Sequence, residues 1–333
     1  MRRRRLAETI ALVGGETMLG REVRELLGES SLGARVRLVA EETEAAGTLT
    51  EIDGAAAFLE RFDPEEIENA AAIVLAGSPD SYGKMAAENA SGVIVDLTWA
   101  AEDAPGARIR APLVEQDEDE ADVSGPQVIA HPAAIAIRLL LGQLHRAHPI
   151  ARSVIHVFAP ASERGTPGVD ELQQQTVALL SLQQMPKKVF DAQLSFNMLA
   201  QLGEEAAHPL LETEERIERH LATLLDHAEA PPMPSLRLVQ APVFHGYSFS
   251  LWIEFEETPT ASEVEDALRG ESIEVRSESE EPPTNAGVAG QNGISVGVIT
   301  PDRNQSNAMW IWMVADNLRL AAQNAVMALK EIL

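Results

Sequence analysis

The apolar residues in the first third of the chain fall into short runs separated by glycine turns and by stretches with helical spacing. Thr9 to Val13 is short, β-branched and uncharged, which suits a strand buried on both faces better than a helix of that length. It ends in Gly14-Gly15. Met18, Leu19, Val23, Leu26 and Leu27 then recur at helical spacing and predict a helix over Met18 to Leu27, and Arg35 to Ala40 supplies a second apolar strand. Strand, glycine turn, helix, strand is the opening of a dinucleotide-binding fold. Strands at Ile73 to Ala76, reached through a helical stretch after Pro64, and at Val93 to Leu97 continue the alternation and imply a parallel sheet with right-handed crossovers.

Glu115 to Asp122 is strongly acidic and reads as a solvated loop; Gly125-Pro126 follows, placing a domain boundary near Ile129 to Pro132. Helices are predicted at Ala133 to His145, Val169 to Leu182 and Glu212 to Ala228, the last with a charged outer face. A strand is predicted at Ser153 to Ala159. Arg237 to Val243 and Phe249 to Glu256 alternate apolar and polar residues as half-buried antiparallel strands do. Glu271 to Gly290, acidic and rich in Pro and Gly, reads as a long mobile loop. A strand at Met309 to Val314 and a closing helix at Leu318 to Leu333 complete the pattern, which contains no internal repeat.

A chain of 333 residues with 45% hydrophobic content can bury two cores. The formal charge of -26 repels nucleic acid and anionic lipid surfaces, so no nucleic-acid partner is expected. No apolar run approaches the roughly 20 residues that span a bilayer, and no hydrophobic signal core follows Arg2 to Arg5. The expectation is a soluble, cytoplasmic protein with no membrane association. The arginine run reads as a solvated tail, with anion binding as the alternative. Cysteine is absent altogether, which excludes disulfides, thiolate metal sites and thiol catalysis.

Several stretches resemble the aspartate-semialdehyde dehydrogenase family, in that family's order and from Ile10 to nearly the last residue. They are Val13 to Glu22 (VGGETMLGRE), Gly168 to Leu172 followed by Gln175-Thr176, Phe196-Asn197, Ala241 to Ser248 (APVFHGYS), and Ala315 to Arg319 with Asn324 to Val326. The resemblance implies an α/β protein. A Rossmann-type NAD(P)-binding domain would span 1–130 and 315–333, and an α+β dimerisation and substrate domain 131–314. It also implies a homodimer paired through a sheet and helix surface of the second domain.

The family's chemistry runs through a cysteine thioester, a histidine base, a glutamine and a substrate-gripping arginine. The stretch that holds the family's cysteine reads Pro132 to Ala136 here, with Ala134 at the nucleophile's place. Tyr247 stands for the histidine, Ala159 for the glutamine and Gln240 for the arginine. The family's glycine-rich loop reads Ser162-Glu163-Arg164-Gly165-Thr166. Members of a catalytic unit act together, and losing the nucleophile alone costs on the order of a millionfold in one measured protease. The sequence therefore looks like the non-catalytic homologues that form a side branch of this family.

For the cofactor, Gly14 and Gly20 keep the phosphate turn, while the middle glycine is Thr17 and Glu16 adds a negative charge. If the middle position demands a left-handed backbone, a Cβ there costs roughly 1–2 kcal/mol. Glu41, in Glu41-Glu42-Thr43-Glu44, sits where NAD enzymes place their ribose-binding acid, so NAD is favoured over NADP if a dinucleotide binds; the alternative is a solvated turn. Asn324 completes the candidate cofactor set by resemblance.

Other candidates have plainer readings beside them. His245 is a substitute base or a turn histidine; His145 and His148 are a metal pair or a helix end lacking a third ligand, and no metal site is expected. Ser162 and Thr166 lie in no nucleophile motif. Trp310 and Trp312 are core or dimer-interface residues. Three functions stay open: an inert binding or regulatory homologue, pairing with itself or with an active homologue; a divergent NAD(P)-dependent oxidoreductase working without a thioester; and a structural subunit with an empty cleft.

Overall fold

The computed structural model describes residues 9–333 apart from 42–43, 45, 53, 64–66, 68–69, 88–91 and 116–124. Arg2 to Arg5, most of the helical stretch after Pro64 and the acidic run beyond Glu115 lie outside the described residues. The chain divides into two compact units, Met1–Ala130 with Ala321–Leu333, and His131–Leu320.

The first unit carries β1 (Ile10–Val13), β2 (Val36–Val39), β3 (Leu49–Ile52), β4 (Ala55–Glu60), β5 (Ala72–Leu75), β6 (Val93–Asp96), β7 (Arg108–Arg110) and β8 (Gln127–Ile129). They form one sheet in the order β3-β4-β2-β1-β5-β6-β8-β7. Every pairing is parallel except the β3/β4 hairpin. Every residue of β1 and β5 is buried, which is why these strands read as uninterrupted apolar runs. Helix α1 (Met18–Gly28) follows β1, and α2 (Asp80–Ala87) follows β5. The fold is Rossmann-type. The β3/β4 hairpin gave no sequence signal: Leu49 and Phe58 are exposed and face each other across it.

The second unit holds α3 (Pro132–Ala147), β9 (Ile150–Ala159), α4 (Gly165–Leu180), α5 (Leu210–Leu224), β10 (Ser235–Gln240), β11 (Tyr247–Phe255), α6 (Ala261–Leu268), β12 (Ile273–Val275), β13 (Ile294–Pro301) and β14 (Ala308–Ala315). Its sheet has the order β10-β9-β11-β14-β13-β12. The closing helix, α7 (Asn317–Ile332), begins in this unit and ends in the first. There Arg110, almost fully buried, donates to Glu331 at 2.6 Å, Glu115 at 2.8 Å and Gln127 at 3.0 Å, fixing the helix end to β7.

Two expectations need correction. The strand expected to be antiparallel at Arg237 to Val243 is β10, which runs parallel to β9; the connection between them carries two helices, enough for a crossover. The supposed loop Glu271 to Gly290 contains β12, parallel to β13, whose buried Ile273 and Val275 flank Glu274 in an acidic background too short to show alternation. Of the two readings of Trp310, core and dimer interface, its 39% exposure on the sheet face speaks against the first.

The stretch Gly168 to Thr176 works as a clamp. The buried Glu171 carboxylate accepts the backbone N–H groups of Lys188, Val189 and Phe190 at 2.5, 2.8 and 3.1 Å. Gln175 accepts those of Leu194 and Ser195 at 2.8 and 3.1 Å and donates to the Pro186 and Ala192 carbonyls, both at 2.9 Å. Two side chains one helical turn apart thus pin the irregular segment that carries Phe196-Asn197. Glu171→Ala strands three backbone donors, and urea unfolding should show a loss of roughly 3 kcal/mol or more; a loss under about 1 kcal/mol would mean that water replaces the carboxylate.

Candidate functional site

In the first unit, the turn after β1 is shaped by close backbone approaches. Gly14 has φ +79° and donates to Val39 O at 3.0 Å, and a Cβ there would lie 2.7 Å from Gly77 Cα. Gly20 packs α1 onto the turn so tightly that a Cβ would lie 1.9 Å from Gly14 O. Thr17 does not adopt the left-handed backbone considered for it: φ is -62° and ψ 163°. It is the N-cap of α1, its Oγ1 accepting from Gly20 N at 3.0 Å and lying 2.8 Å from Gly14 O and 2.7 Å from Ala76 O. Its side chain therefore stabilises the helix start, and no backbone strain is stored there.

Glu16 pairs with Arg24 and with Arg21, the latter at 3.1 Å. Burial pushes its carboxyl up, but hydrogen bonds from Thr50 and Arg24 and the two arginine charges outweigh this and hold it below the usual range. Glu41 folds back so that its carboxylate accepts the Ser78 N–H, and burial with the neighbouring Glu44 charge raises its carboxyl. Asn324 is fully buried, and its side-chain oxygen accepts from Leu113 N at 3.0 Å.

In the second unit, α3 starts at Pro132 with His131 as N-cap. Ala134 lies in the first helical turn and is fully buried. His131 Nδ1 accepts from Ala133 N at 3.2 Å, which leaves Nε2–H to donate to Glu163 Oε1 at 3.0 Å. The Tyr247 hydroxyl, at the start of β11, donates to the other oxygen of Glu163 at 2.7 Å. The backbone N–H of His131 donates to His220 Nδ1 on α5 at 2.9 Å. His131 and Tyr247 also meet edge to face, ring centres 5.8 Å apart.

Glu163 comes from a 3-10 turn, Ala161–Arg164, zipped to the segment before β11 by Ala161 N to Val243 O at 2.7 Å and Ser162 N to Phe244 O at 2.9 Å. Burial alone would raise its carboxyl, yet the His131 ring, the Tyr247 hydroxyl and the Arg164 charge hold it below the usual range. The Tyr247 phenol moves the other way, well above its ordinary value, through burial and then the adjacent Glu163 charge. A phenol shifted upward is a poorer base precursor, so the cluster is a closed hydrogen-bonded chain rather than an activated one.

Ala159 and Gln240 are partners in the parallel β9/β10 register, both fully buried. Gln240 Nε2 donates to Ala159 O at 2.9 Å, while its Oε1 is buried without a hydrogen bond. Next to Tyr247, Gly246 N donates to Asn317 Oδ1 at 2.9 Å and Gly246 O accepts from Asn285 at 2.7 Å. Ser162 is tied to Asn317 at 3.2 Å, and Thr166 is exposed. His245 is half-buried, its Nδ1 lacking a hydrogen bond. His145 Nδ1 accepts from Ile150 N at 2.9 Å, while His148 meets Phe255 edge to face. His131 and Glu163 were not singled out from the sequence as a pair; the only signal was the charged Glu163-Arg164 pair set among the small residues Ser162, Gly165 and Thr166.

A Rossmann-type unit followed by a mixed six-stranded unit defines a two-domain α/β protein of the kind that semialdehyde dehydrogenase structures share. Residues 141–320 match the model of the semialdehyde dehydrogenase dimerisation domain, and the chain belongs to the semialdehyde dehydrogenase family. It is 30% identical over 218 residues to an aspartate-semialdehyde dehydrogenase of Rickettsia bellii, a match covering 63% of this chain and 62% of that protein, less than two thirds of its length. It is 30% identical over 240 residues to a USG-1 protein homolog of Pseudomonas aeruginosa, 70% of each chain. The solved structure of a probable aspartate-semialdehyde dehydrogenase from Pseudomonas aeruginosa superposes with a TM-score of 0.82 at 25% identity, covering 97% of both chains.

Because the folded carboxyl of Glu163 lies below its unfolded value, its stabilisation is present above the unfolded carboxylate range, about pH 4.3, and is lost as pH falls through the folded value. Glu163→Gln should cost about 1–3 kcal/mol at neutral pH and make the urea midpoint fall less steeply with acid than in the unmodified protein. An unchanged acid limb would show that the carboxylate titrates alike in both states.

Proposed function

We propose that the chain is a non-catalytic member of the semialdehyde dehydrogenase family that acts as a binding or regulatory protein. The observation that carries this reading is Ala134. The family's nucleophile position, matched by resemblance, is a buried methyl group in a chain with no cysteine. A thioester needs a soft nucleophile that can also leave, and a base to deprotonate it. Tyr247 stands at the base position and its hydroxyl is committed to Glu163. Ala159 and Gln240, at the positions matched to the glutamine and the arginine, bond within their own strand pair.

The partner we propose is a second copy of this chain rather than an active homologue. The match to a dimerisation domain supports it, as does the face of the second sheet where Trp252 lies opposite Trp310. Both indoles donate to the same Asp302 oxygen, at 3.0 and 2.8 Å, which holds apolar surface flat at the sheet face. Light scattering should give twice the 36.0 kDa chain mass; a monomer would remove the dimer.

The deciding assay follows nicotinamide reduction with purified protein, aspartate semialdehyde, phosphate and NADP or NAD, beside an active relative. No turnover above the no-protein control is expected. Ala134→Cys alone should also fail, because a restored thiol has no histidine at Tyr247 and no glutamine at Ala159 to work with. Turnover that survives further purification of the unmodified protein would sink the inert reading and favour the oxidoreductase alternative, which rests on the kept Gly14 and Gly20.

A further inference from the structure

Three backbone donors in and beside the glycine turn of the first unit, those of Glu16, Glu41 and Ser78, are engaged by the protein's own carboxylates. One Glu44 oxygen accepts the Glu16 N–H at 2.9 Å, inside the turn between β1 and α1. The other accepts the Glu41 N–H at 2.8 Å, so a single carboxylate bridges the turn and the end of β2. The Glu41 carboxylate in turn accepts the Ser78 N–H just after β5 and packs onto Gly77, where a Cβ would lie 2.8 Å from the carboxylate carbon. Backbone amides opening a helix after a β-strand are the donors that cradle a pyrophosphate in this fold. A carboxylate presents the same chemistry: paired anionic oxygens that accept from backbone N–H groups.

We infer that Glu41 and Glu44 form an internal clasp that occupies the anion-binding turn of the Rossmann-type unit and closes it to dinucleotide. The clasp acts twice. It satisfies the Glu16 N–H, a donor of the turn that a pyrophosphate would use, and it places two further carboxylates against the turn, where an incoming polyanion meets repulsion. Glu41 thus serves the backbone of its own fold instead of a ribose hydroxyl. Arg61 and Lys84 line the cavity beside the two glutamates, so charged neighbours stand next to the carboxylates should they swing away from the turn. The inference concerns dinucleotide binding alone and stands or falls apart from the thioester assay.

The test is fluorescence titration of NADH and of NADPH onto the full chain, its Glu44→Ala variant and a Glu41→Gln, Glu44→Gln double variant, with circular dichroism to verify folding. The unmodified chain should show no saturation into the millimolar range. Both variants should bind NADH at least about tenfold more tightly. Weaker binding in the variants than in the unmodified chain would mean that the carboxylates hold the ribose, and would overturn the clasp. Equal binding, or none in folded variants, would overturn it as well. Should Glu44→Ala not fold, the double variant is read with hydrogen exchange. The Glu16 and Ser78 amides should exchange faster than in the unmodified chain and regain protection with NADH; unchanged protection in both states is the contrary result.

Discussion

A carboxylate this little exposed is costly unless each of its oxygens is met by a donor, and Glu163, whose side chain is 6% exposed, meets that condition with one donor from the N-cap of α3 and one from β11. The arrangement around it follows from this requirement. His131 must cap α3 through Nδ1 so that Nε2–H is free to donate, and the Ala161–Arg164 turn must stay zipped to the Val243-Phe244 segment to bring the carboxylate in. The pair holds the start of α3, the loop after β9 and the start of β11 at one point. These are the segments that the family resemblance assigns to nucleophile, glycine-rich loop and base.

The substitutions in this region are coherent as a set. A tyrosine hydroxyl reaches a glutamate where shorter residues would leave it unmet. Alanine on β9 leaves room for Gln240 to turn along its own strand pair, at the price of one unsatisfied buried oxygen. The same logic recurs in the first unit, where Thr17 gives α1 a side-chain cap and Glu16 is neutralised by two arginines of that helix.

Much of the parallel sheet was legible because strands buried on both faces must be continuously apolar; β1 and β5 obey that rule, and β2 and β6 break it once each, at Arg37 and Asp96. Strands that break it were not legible. The β3/β4 hairpin exposes its large apolar residues, and β12 is too short for alternation to register. The direction of β10 was misread because alternation reports a half-buried strand without reporting its neighbour. At the candidate site, the four altered positions could be named from the sequence by resemblance. What fills the region could not, since His131, Glu163 and Tyr247 come from segments more than thirty residues apart and meet only through the second sheet.

The distribution of indoles gives the molecule an optical property. Of the four tryptophans, Trp252, Trp310 and Trp312 lie on the second sheet, and only Trp99 belongs to the first unit. Trp310 is partly open to water, and Trp252 shares its Asp302 anchor. Ultraviolet emission is therefore weighted toward one sheet face, and its colour tracks how wet that face is. Covering the face moves the spectrum to the blue while Trp99, anchored to Ile129 O at 3.0 Å, supplies a steady background. The chain carries a native dye for whatever covers that face.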